Sequence, residues 1–292
     1  MNKLAALVIV GLIGTRPVAL AGTTPSSTAG IAPMRAELLD KGPVMWLGTF
    51  ISPAEVREVP LDIGGAVTAA AQAKFKFIAI EAKGQSGFCV WNDKNYNYTL
   101  SGVTTRDYLR EFLVACKTQN ILPGVQYAIP DAHMEGKPEW NKPVKPQYFN
   151  QIKRQITELL HLYPDFRFVF LCGANRLSKS QWTDLLQGIS QVNSECFILC
   201  EPDTKAPEDS RVICGEMIKD SAGKVVIEYE KASVTDCYKH YSEILGKGHV
   251  GLVIVKPDKK TGGIGAQRLV ALRQLKEMIE RNPPPEKKEK PK

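Results

Sequence analysis

Short apolar runs alternate with amphipathic segments over most of the chain, from residue 44 to residue 281. The apolar runs are rich in Val, Ile and Phe, which is typical of strands that are buried on both faces. The predicted strands are Val44–Ile51, Phe75–Ala82, Ile121–Ile129, Phe166–Cys172, Cys196–Cys200, Val212–Cys214, Val225–Tyr229 and His249–Val255. The segments between them carry apolar residues at helical spacing. The predicted helices are Ile63–Ala73, Asp107–Gln119, Gln147–Tyr163, Ser180–Val192, Val234–Leu245 and Gly265–Arg281.

This alternation predicts an α/β fold. Strands buried on both faces that alternate with helices form a parallel sheet with right-handed crossovers. Roughly seven or eight such units fit a single (β/α)8 barrel domain of TIM type, which we place at residues 43–281. A doubly wound open sheet is the alternative, but no G-x-G-x-x-G motif or P-loop follows a predicted strand. The weaker strands Val212–Cys214 and Val225–Tyr229 are also compatible with a hairpin insertion.

The two ends of the chain differ in composition from the predicted barrel. A basic residue, the apolar run Leu4–Gly14 and the small residues Ala19–Ala21 form the pattern of a secretory signal peptide, residues 1–21. We therefore expect a secreted or periplasmic protein without a membrane span, because the apolar run is shorter than the ~20 residues of a spanning helix. A retained membrane tether is the alternative. Residues 22–42 are predicted to be a flexible spacer, and residues 282–292 a disordered basic tail.

Charge and cysteine content narrow the function classes. The 292 residues carry a net charge of +7, part of which lies in the two ends, so we expect no nucleic-acid partner. The seven cysteines are scattered and form no cluster with histidine, which predicts no metal site, and no cofactor is expected. Most are expected to be small buried hydrophobes, with one or two disulfides left open. Cys196 and Cys200 on one strand are about 13 Å apart, too far for a disulfide.

A barrel of this type places its functional residues where the strands end. Glu81 and Lys83 end one predicted strand, and Glu201 follows another. Glu81 and Glu201 are therefore candidates for a catalytic acid and base. A structural ion pair is more common than a catalytic role for a glutamate at a strand end, and Lys83 or Lys256 is the candidate partner of Glu81.

A thiol nucleophile is a second candidate at the strand ends. Cys172 ends a predicted strand, and His133 or His249 are the candidate bases. A buried core cysteine is the more common arrangement, since no local motif accompanies Cys172.

Four blocks of sequence stand in an order that matches one enzyme family. The blocks are Lys74–Trp91, Arg106–Lys117 with Gly124–Ala128, Tyr163–Asn175 and Lys247–Asp258. The first reads K-F-K-F-I-A-I-E-A-K-G-Q-S-G-F-C-V-W, against a family pattern of approximately A-K-Y-x-V-L-T-x-K-H-H-D-G-F-x-x-W. Together the blocks resemble the catalytic domain of the α-L-fucosidases, glycoside hydrolase family 29. The resemblance implies a (β/α)8-like barrel and hydrolysis of terminal α-L-fucosyl bonds with retention.

The positions that carry fucosidase chemistry are substituted in this divergent sequence. By the resemblance, Cys172 stands at the position of the nucleophilic aspartate, and Gly84-Gln85 at that of a sugar-binding histidine pair. The strand Val44–Ile51 also lacks the histidine of the family. A cysteine supplies negative charge only when its pKa is lowered, so these changes together predict loss of ordinary fucosidase turnover.

The residues that match the family around these positions are candidates for substrate contact. They are Lys83, Trp91 and Tyr127, together with Gln85 at the second histidine position. Trp91 and Tyr127 are suited to stacking on a sugar ring, and packing in the core is an equally good interpretation.

Two functional hypotheses follow from these observations. In the first, a secreted α-L-fucosidase-like barrel without ordinary fucosidase activity binds a carbohydrate, such as a fucosylated glycan, or a protein at its rim. In the second, the barrel is an active but retooled glycoside hydrolase that uses Glu81 and Glu201. The sequence leaves open whether the protein is an enzyme.

Overall fold

The computed structural model describes residues 31–48, 53–58, 61–202, 204, 206–218, 233–258 and 261–283. The predicted signal peptide, the predicted strand Val225–Tyr229 and residues 284–292 of the predicted tail lie outside the described residues. The described strands are β1 (Val44–Leu47), β2 (Phe77–Lys83), β3 (Leu122–Ala128), β4 (Phe168–Cys172), β5 (Phe197–Cys200), β6 (Val212–Met217) and β7 (Val250–Val255). The described helices are α1 (Ile31–Lys41), α2 (Pro53–Glu58), α3 (Ile63–Gln72), α4 (Tyr108–Gln119), α5 (Ala132–Glu135), α6 (Pro146–Leu162), α7 (Lys179–Val192), α8 (Val234–Gly246) and α9 (Ala266–Arg281). None of these helices is both long enough and apolar enough to cross a membrane.

The described strands form one closed parallel barrel. Each of β1 to β6 is hydrogen-bonded to the next strand, and β7 pairs with β1, with Leu252 opposite Val44 and Val255 opposite Leu47. This closure confirms a TIM-like (β/α) barrel and excludes the doubly wound sheet, whose outer strands have unpaired edges. The described part of the chain supplies seven strands to the barrel.

Alternate side chains of each strand fill the interior of the barrel. Phe168 and Phe170 of β4 lie there with Phe77 of β2 and Phe197 of β5, and all four are buried. Phe168 and Phe197 stack with ring centroids 5.3 Å apart. Gly124 of β3 makes room for this stack, because a Cβ atom there would lie 2.1 Å from the Phe168 ring. The interior is therefore a packed core, and a ligand site has room only beyond it.

The helices pack their apolar faces against the outside of the barrel. In α6, this face includes Ile152, Ile156 and Leu159, which are fully buried at the spacing that predicts the helix. Side-chain caps fix where helices begin. At the start of α4, the Asp107 carboxylate accepts a hydrogen bond from the Arg110 N–H at 2.9 Å.

The segment predicted to be a flexible spacer, residues 22–42, contains a helix in its described part. Ile31–Lys41 forms α1, and Leu38 on this helix is fully buried against the interior core. At the end of the helix, the Gly42 N–H donates to the Leu38 carbonyl at 3.1 Å. The prediction of flexibility is therefore wrong for α1, because packing against the barrel stabilises a helix that its own composition does not indicate.

The predicted strand Val212–Cys214 is longer than expected and belongs to the barrel. As β6 it runs to Met217 and pairs in parallel with both β5 and β7. Val212 lies opposite Ile198 of β5. A strand with parallel partners on both sides has no free edge for an antiparallel neighbour, so the hairpin alternative is wrong for this strand.

Most of the cysteines are buried, which confirms their prediction as small hydrophobic residues. Six of the seven are buried, and Cys214 is half-buried. Burial raises the pKa of the Cys200 thiol to about 12, against a weaker opposing effect of its hydrogen bond with Thr204. No disulfide joins any two of the described cysteines.

Candidate ligand site at the barrel mouth

Four side chains converge where the barrel interior opens at the carboxyl ends of the strands. Glu81, Gln126 and Cys172 share the inward faces of β2, β3 and β4, and Glu201 directly follows β5. Glu81 is the register partner of Gln126, and the Cys172 thiol interacts with Glu81, Gln126 and Glu201. We name these four residues the barrel mouth. The structure thus brings together the three candidate catalytic residues Glu81, Cys172 and Glu201.

Cys172 lies at the centre of the mouth as a neutral thiol. Its side chain is 5% exposed, and burial raises the pKa of the thiol well above its usual value. The charge of Glu201 adds to this rise, a hydrogen bond with Gln126 opposes it, and the charge of Glu81 adds least. A neutral thiol is a weaker nucleophile than a thiolate.

Gln126 presents an unused hydrogen-bond acceptor at the mouth. Its side chain is nearly buried, and its Oε1 has no hydrogen-bond partner among the described residues. A buried polar atom without a partner costs free energy until a donor reaches it. The sequence does not single out Gln126, since a single glutamine on a strand gives no motif.

Glu201 joins the end of β5 to the turn that follows β4. Its Oε1 accepts a hydrogen bond from the Gly173 N–H at 2.8 Å, and its Oε2 accepts one from the Ala174 N–H at 3.4 Å. Burial raises the pKa of Glu201 although these bonds favour the charged form. Gly173 has a φ of 75°, and a Cβ atom there would lie 2.6 Å from Pro130, so this turn requires glycine.

Glu81 is packed beneath the turn that follows β2. Its side chain is 2% exposed, and a Cβ atom at Gly84 would lie 2.6 Å from Glu81 Oε1. The glycine that replaces the first family histidine therefore lets the turn approach the carboxyl group. In the described part of the chain, no three His, Cys, Asp or Glu side chains are grouped so as to hold a metal ion.

Lys83, a candidate for substrate contact, lies in the outer wall of the barrel. Its Nζ forms an ion pair with Asp131 at 2.8 Å and donates to the Tyr148 hydroxyl at 3.1 Å. Neither side chain of the ion pair is exposed, and Nζ lies 4.8 Å from the centre of the Tyr127 ring. The pairing of β2 with β3 is irregular between Glu81 and Lys83, which turns Lys83 away from the mouth.

Two of the other candidates for substrate contact are also buried. Tyr127 is fully buried, and its hydroxyl donates to Gln155 Oε1 of α6 at 2.6 Å. Trp91 is 1% exposed within the same layer of packed side chains. A sugar reaches neither ring in this conformation. Gln85 is exposed on the turn after β2 and is the one of the four candidates that a ligand reaches directly.

The two candidate bases for Cys172, His133 and His249, contact other residues. His249 precedes β7 and so lies at the amino end of the barrel, where its Nδ1 is 3.3 Å from Glu216 Oε2. His133 of α5 stacks on Tyr98 with ring centroids 4.6 Å apart. This placement excludes His249 as a base for Cys172, because the thiol lies at the opposite end of the strands.

Comparison with solved structures finds the same barrel fold in α-L-fucosidases. An α-L-fucosidase of Lactobacillus casei, AlfC, superposes with a TM-score of 0.65 at 14% identity, covering 87% of this chain and 99% of that protein. A family 29 α-L-fucosidase of Bacteroides thetaiotaomicron gives a TM-score of 0.63 at 12% identity, covering 85% and 73%. The chain has the α-L-fucosidase fold. At such identities the likeness establishes the fold alone.

Sequence comparison supports the same family more weakly. No family model matches the chain. A protein of Oryza sativa subsp. japonica named "Putative alpha-L-fucosidase 1" is 27% identical over 180 residues, which cover 58% of this chain and 34% of the rice protein. The match thus spans about a third of the length of that relative. The resemblance to the α-L-fucosidases is confirmed in the fold and in this weak sequence match.

The Lys83–Asp131 ion pair is expected to be essential for stability. K83M leaves the buried Asp131 carboxylate without its cation, so the free energy of unfolding in urea should fall by about 3–5 kcal/mol. The matched control is K142M, since Lys142 pairs with Glu139 at 3.4 Å on the surface and should change stability by less than about 1 kcal/mol. Equal effects of the two substitutions would contradict this assignment.

Proposed function

We propose that the protein is a secreted α-L-fucosidase-like barrel that binds the terminal L-fucosyl residue of a glycan at its mouth without ordinary fucosidase turnover. The observation that carries the proposal is the buried neutral thiol of Cys172 at the position that resembles the family nucleophile. Export rests on the sequence pattern of residues 1–21.

The absence of turnover follows from the charge that the reaction requires. Retaining hydrolysis passes through an oxocarbenium-like transition state, which a carboxylate stabilises from one face while a carboxylic acid about 5–5.5 Å away protonates the leaving group. Cys172 carries no charge at neutral pH, and the Glu201 carboxyl group is held by the N–H groups of Gly173 and Ala174. The mouth therefore lacks a free carboxylate at the nucleophile position.

Binding of a sugar follows from the hydrogen-bonding groups that remain. The Oε1 of Gln126 is buried and has no partner among the described residues, so it accepts from a sugar hydroxyl once neighbouring side chains shift to admit the ligand. Gln85 on the adjoining turn is exposed and both donates and accepts. Gly84, where the resemblance places a family histidine, lies directly on the carboxyl group of Glu81, because a Cβ atom there would be 2.6 Å from Glu81 Oε1. A neutral ligand rich in hydroxyl groups suits this set of groups.

The proposal is tested on the full chain with p-nitrophenyl α-L-fucoside and with L-fucose. We expect no release of nitrophenol above the buffer rate and saturable binding of L-fucose in titration calorimetry. Q126A should weaken this binding about five- to tenfold, which corresponds to one lost hydrogen bond, whereas the exposed-helix control Q187A should leave it unchanged. Turnover of the fucoside, or no binding of L-fucose, would contradict the proposal.

A retooled glycoside hydrolase is the second candidate function, favoured by the raised pKa of Glu201. In that reaction protonated Glu201 is the general acid and Glu81 the base. Activity should then fall as the pH rises through the pKa of Glu201, because the acid must carry its proton.

An aryl-glycoside screen tests this second function. Should the chain hydrolyse one of these substrates, E81Q and E201Q are each expected to lower kcat by about 10²–10⁴-fold. E195Q is the matched control, since Glu195 pairs with Arg167 on the surface. Unchanged activity in both mouth variants would exclude the two carboxyl groups from the reaction.

A further inference from the structure

A cavity lies at the end of the barrel opposite the mouth. It is formed where the chain enters β1, β2 and β3, and helix α9 lines one side of it. Its volume is about 450 Å³, which is in the range of small-molecule sites. We name it the amino-end cavity. Its lining includes Lys74, Phe75, Lys76, Tyr241, Lys276 and Glu280.

Part of the lining of the amino-end cavity is apolar. Phe75 and Ile121 directly precede β2 and β3, and Ile279 of α9 lines the same cavity. All three side chains belong to the buried core. A ligand with a hydrocarbon body can therefore remove apolar surface from water here.

The charged part of the lining has an excess of cations. Three lysines, Lys74, Lys76 and Lys276, stand against two carboxylates, Asp40 and Glu280. The Nζ of Lys74 forms an ion pair with Glu280 at 2.8 Å, so one of the two carboxylates is already bound to a lysine. The remaining balance is positive, which favours a ligand with a negative charge.

Lys276 is the deeply buried cation of this group. Its side chain is 5% exposed, its Nζ donates to the Gly42 carbonyl at 3.1 Å, and Nζ lies 5.8 Å from the centre of the Phe75 ring. Burial lowers the pKa of Lys276, the charge of Glu280 opposes this effect, and the charges of the two other lysines add to it. An anion in the cavity would favour the charged form of Lys276.

Tyr241 of α8 supplies an unused hydrogen-bond donor. Its hydroxyl is buried and has no hydrogen-bond partner among the described residues, at a free-energy cost that a ligand can remove. Burial raises the pKa of this hydroxyl, so it keeps its proton and can donate. A Cβ atom at Gly42 would lie 3.4 Å from the Tyr241 oxygen. A ligand oxygen reaches the hydroxyl once the Lys276 side chain shifts from the Gly42 carbonyl.

We propose that the amino-end cavity binds a small organic acid, whose carboxylate is bound by Lys276 and the Tyr241 hydroxyl and whose apolar body packs on Phe75. This site lies at the opposite end of the barrel from the mouth, and the inference does not rest on the proposed function. The ligand joins α9 to the segments that precede β1 and β2, so its binding is expected to stabilise the fold.

The test is titration calorimetry of the full chain with sodium octanoate and with 1-octanol, which has the same chain length and no carboxylate. We expect one octanoate to bind per chain and 1-octanol to bind at least about tenfold more weakly, because the charge-assisted hydrogen bonds are lost. Octanoate should also raise the melting temperature.

Two variants separate binding from folding. Y241F removes only a hydroxyl that has no partner, so it should weaken octanoate binding about five- to tenfold without lowering the melting temperature of the ligand-free chain. K276M removes the buried cation and should weaken binding at least about tenfold. K239M is the matched control, since Lys239 is exposed on α8 outside the cavity lining and should leave the affinity unchanged.

Three results would each overturn the assignment. They are the absence of octanoate binding, equal affinities for octanoate and 1-octanol, and full octanoate affinity in both Y241F and K276M. Thermal melts of the ligand-free variants that match the parent chain exclude misfolding as the cause of weaker binding.

Discussion

Pairing of β7 with β1 is the constraint on which the rest of the structure depends. Once these strands close the sheet, every strand has one face in the barrel interior and one face toward the helices. Aromatic rings fill the interior, so the polar side chains on the inward face collect at its open end. Glu81, Gln126 and Cys172 meet there because they lie on neighbouring strands of one closed sheet, although they are far apart in the chain.

The same closure decides the chemistry of the mouth. A carboxylate or thiol at this depth loses hydration, and burial is the largest cause of the raised pKa at both Cys172 and Glu201. An aspartate buried at this depth acts as a nucleophile only when its surroundings favour the charged form of its carboxyl group. Here burial and the negative charge of Glu201 and Glu81 oppose charge on Cys172, so the thiol keeps its proton.

The sequence predicts the barrel well because each apolar run is long enough to cross a core that is buried on both faces. It also locates Cys172, Glu81 and Glu201 at strand ends, where the structure brings them together. It misplaces Lys83, since regular alternation puts residues 81 and 83 on one face, and only the irregular pairing with β3 reveals that Lys83 turns outward. Helix α1 is not predicted because its stability comes from tertiary packing. The ion pair of Lys83 with Asp131 is not predicted because Asp131 belongs to no local motif.

The central proposal is that the barrel mouth offers no nucleophile competent for fucosyl transfer, since the Cys172 thiol is neutral. Intact-mass spectrometry after incubation with 2-fluoro-fucosyl fluoride tests this claim most directly, because the reagent traps a glycosyl group on a competent nucleophile. With an active α-L-fucosidase as the positive control, the account predicts that this chain keeps its unmodified mass. A mass increase of one fluorofucosyl group, mapped to Cys172, Glu81 or Glu201, would contradict it.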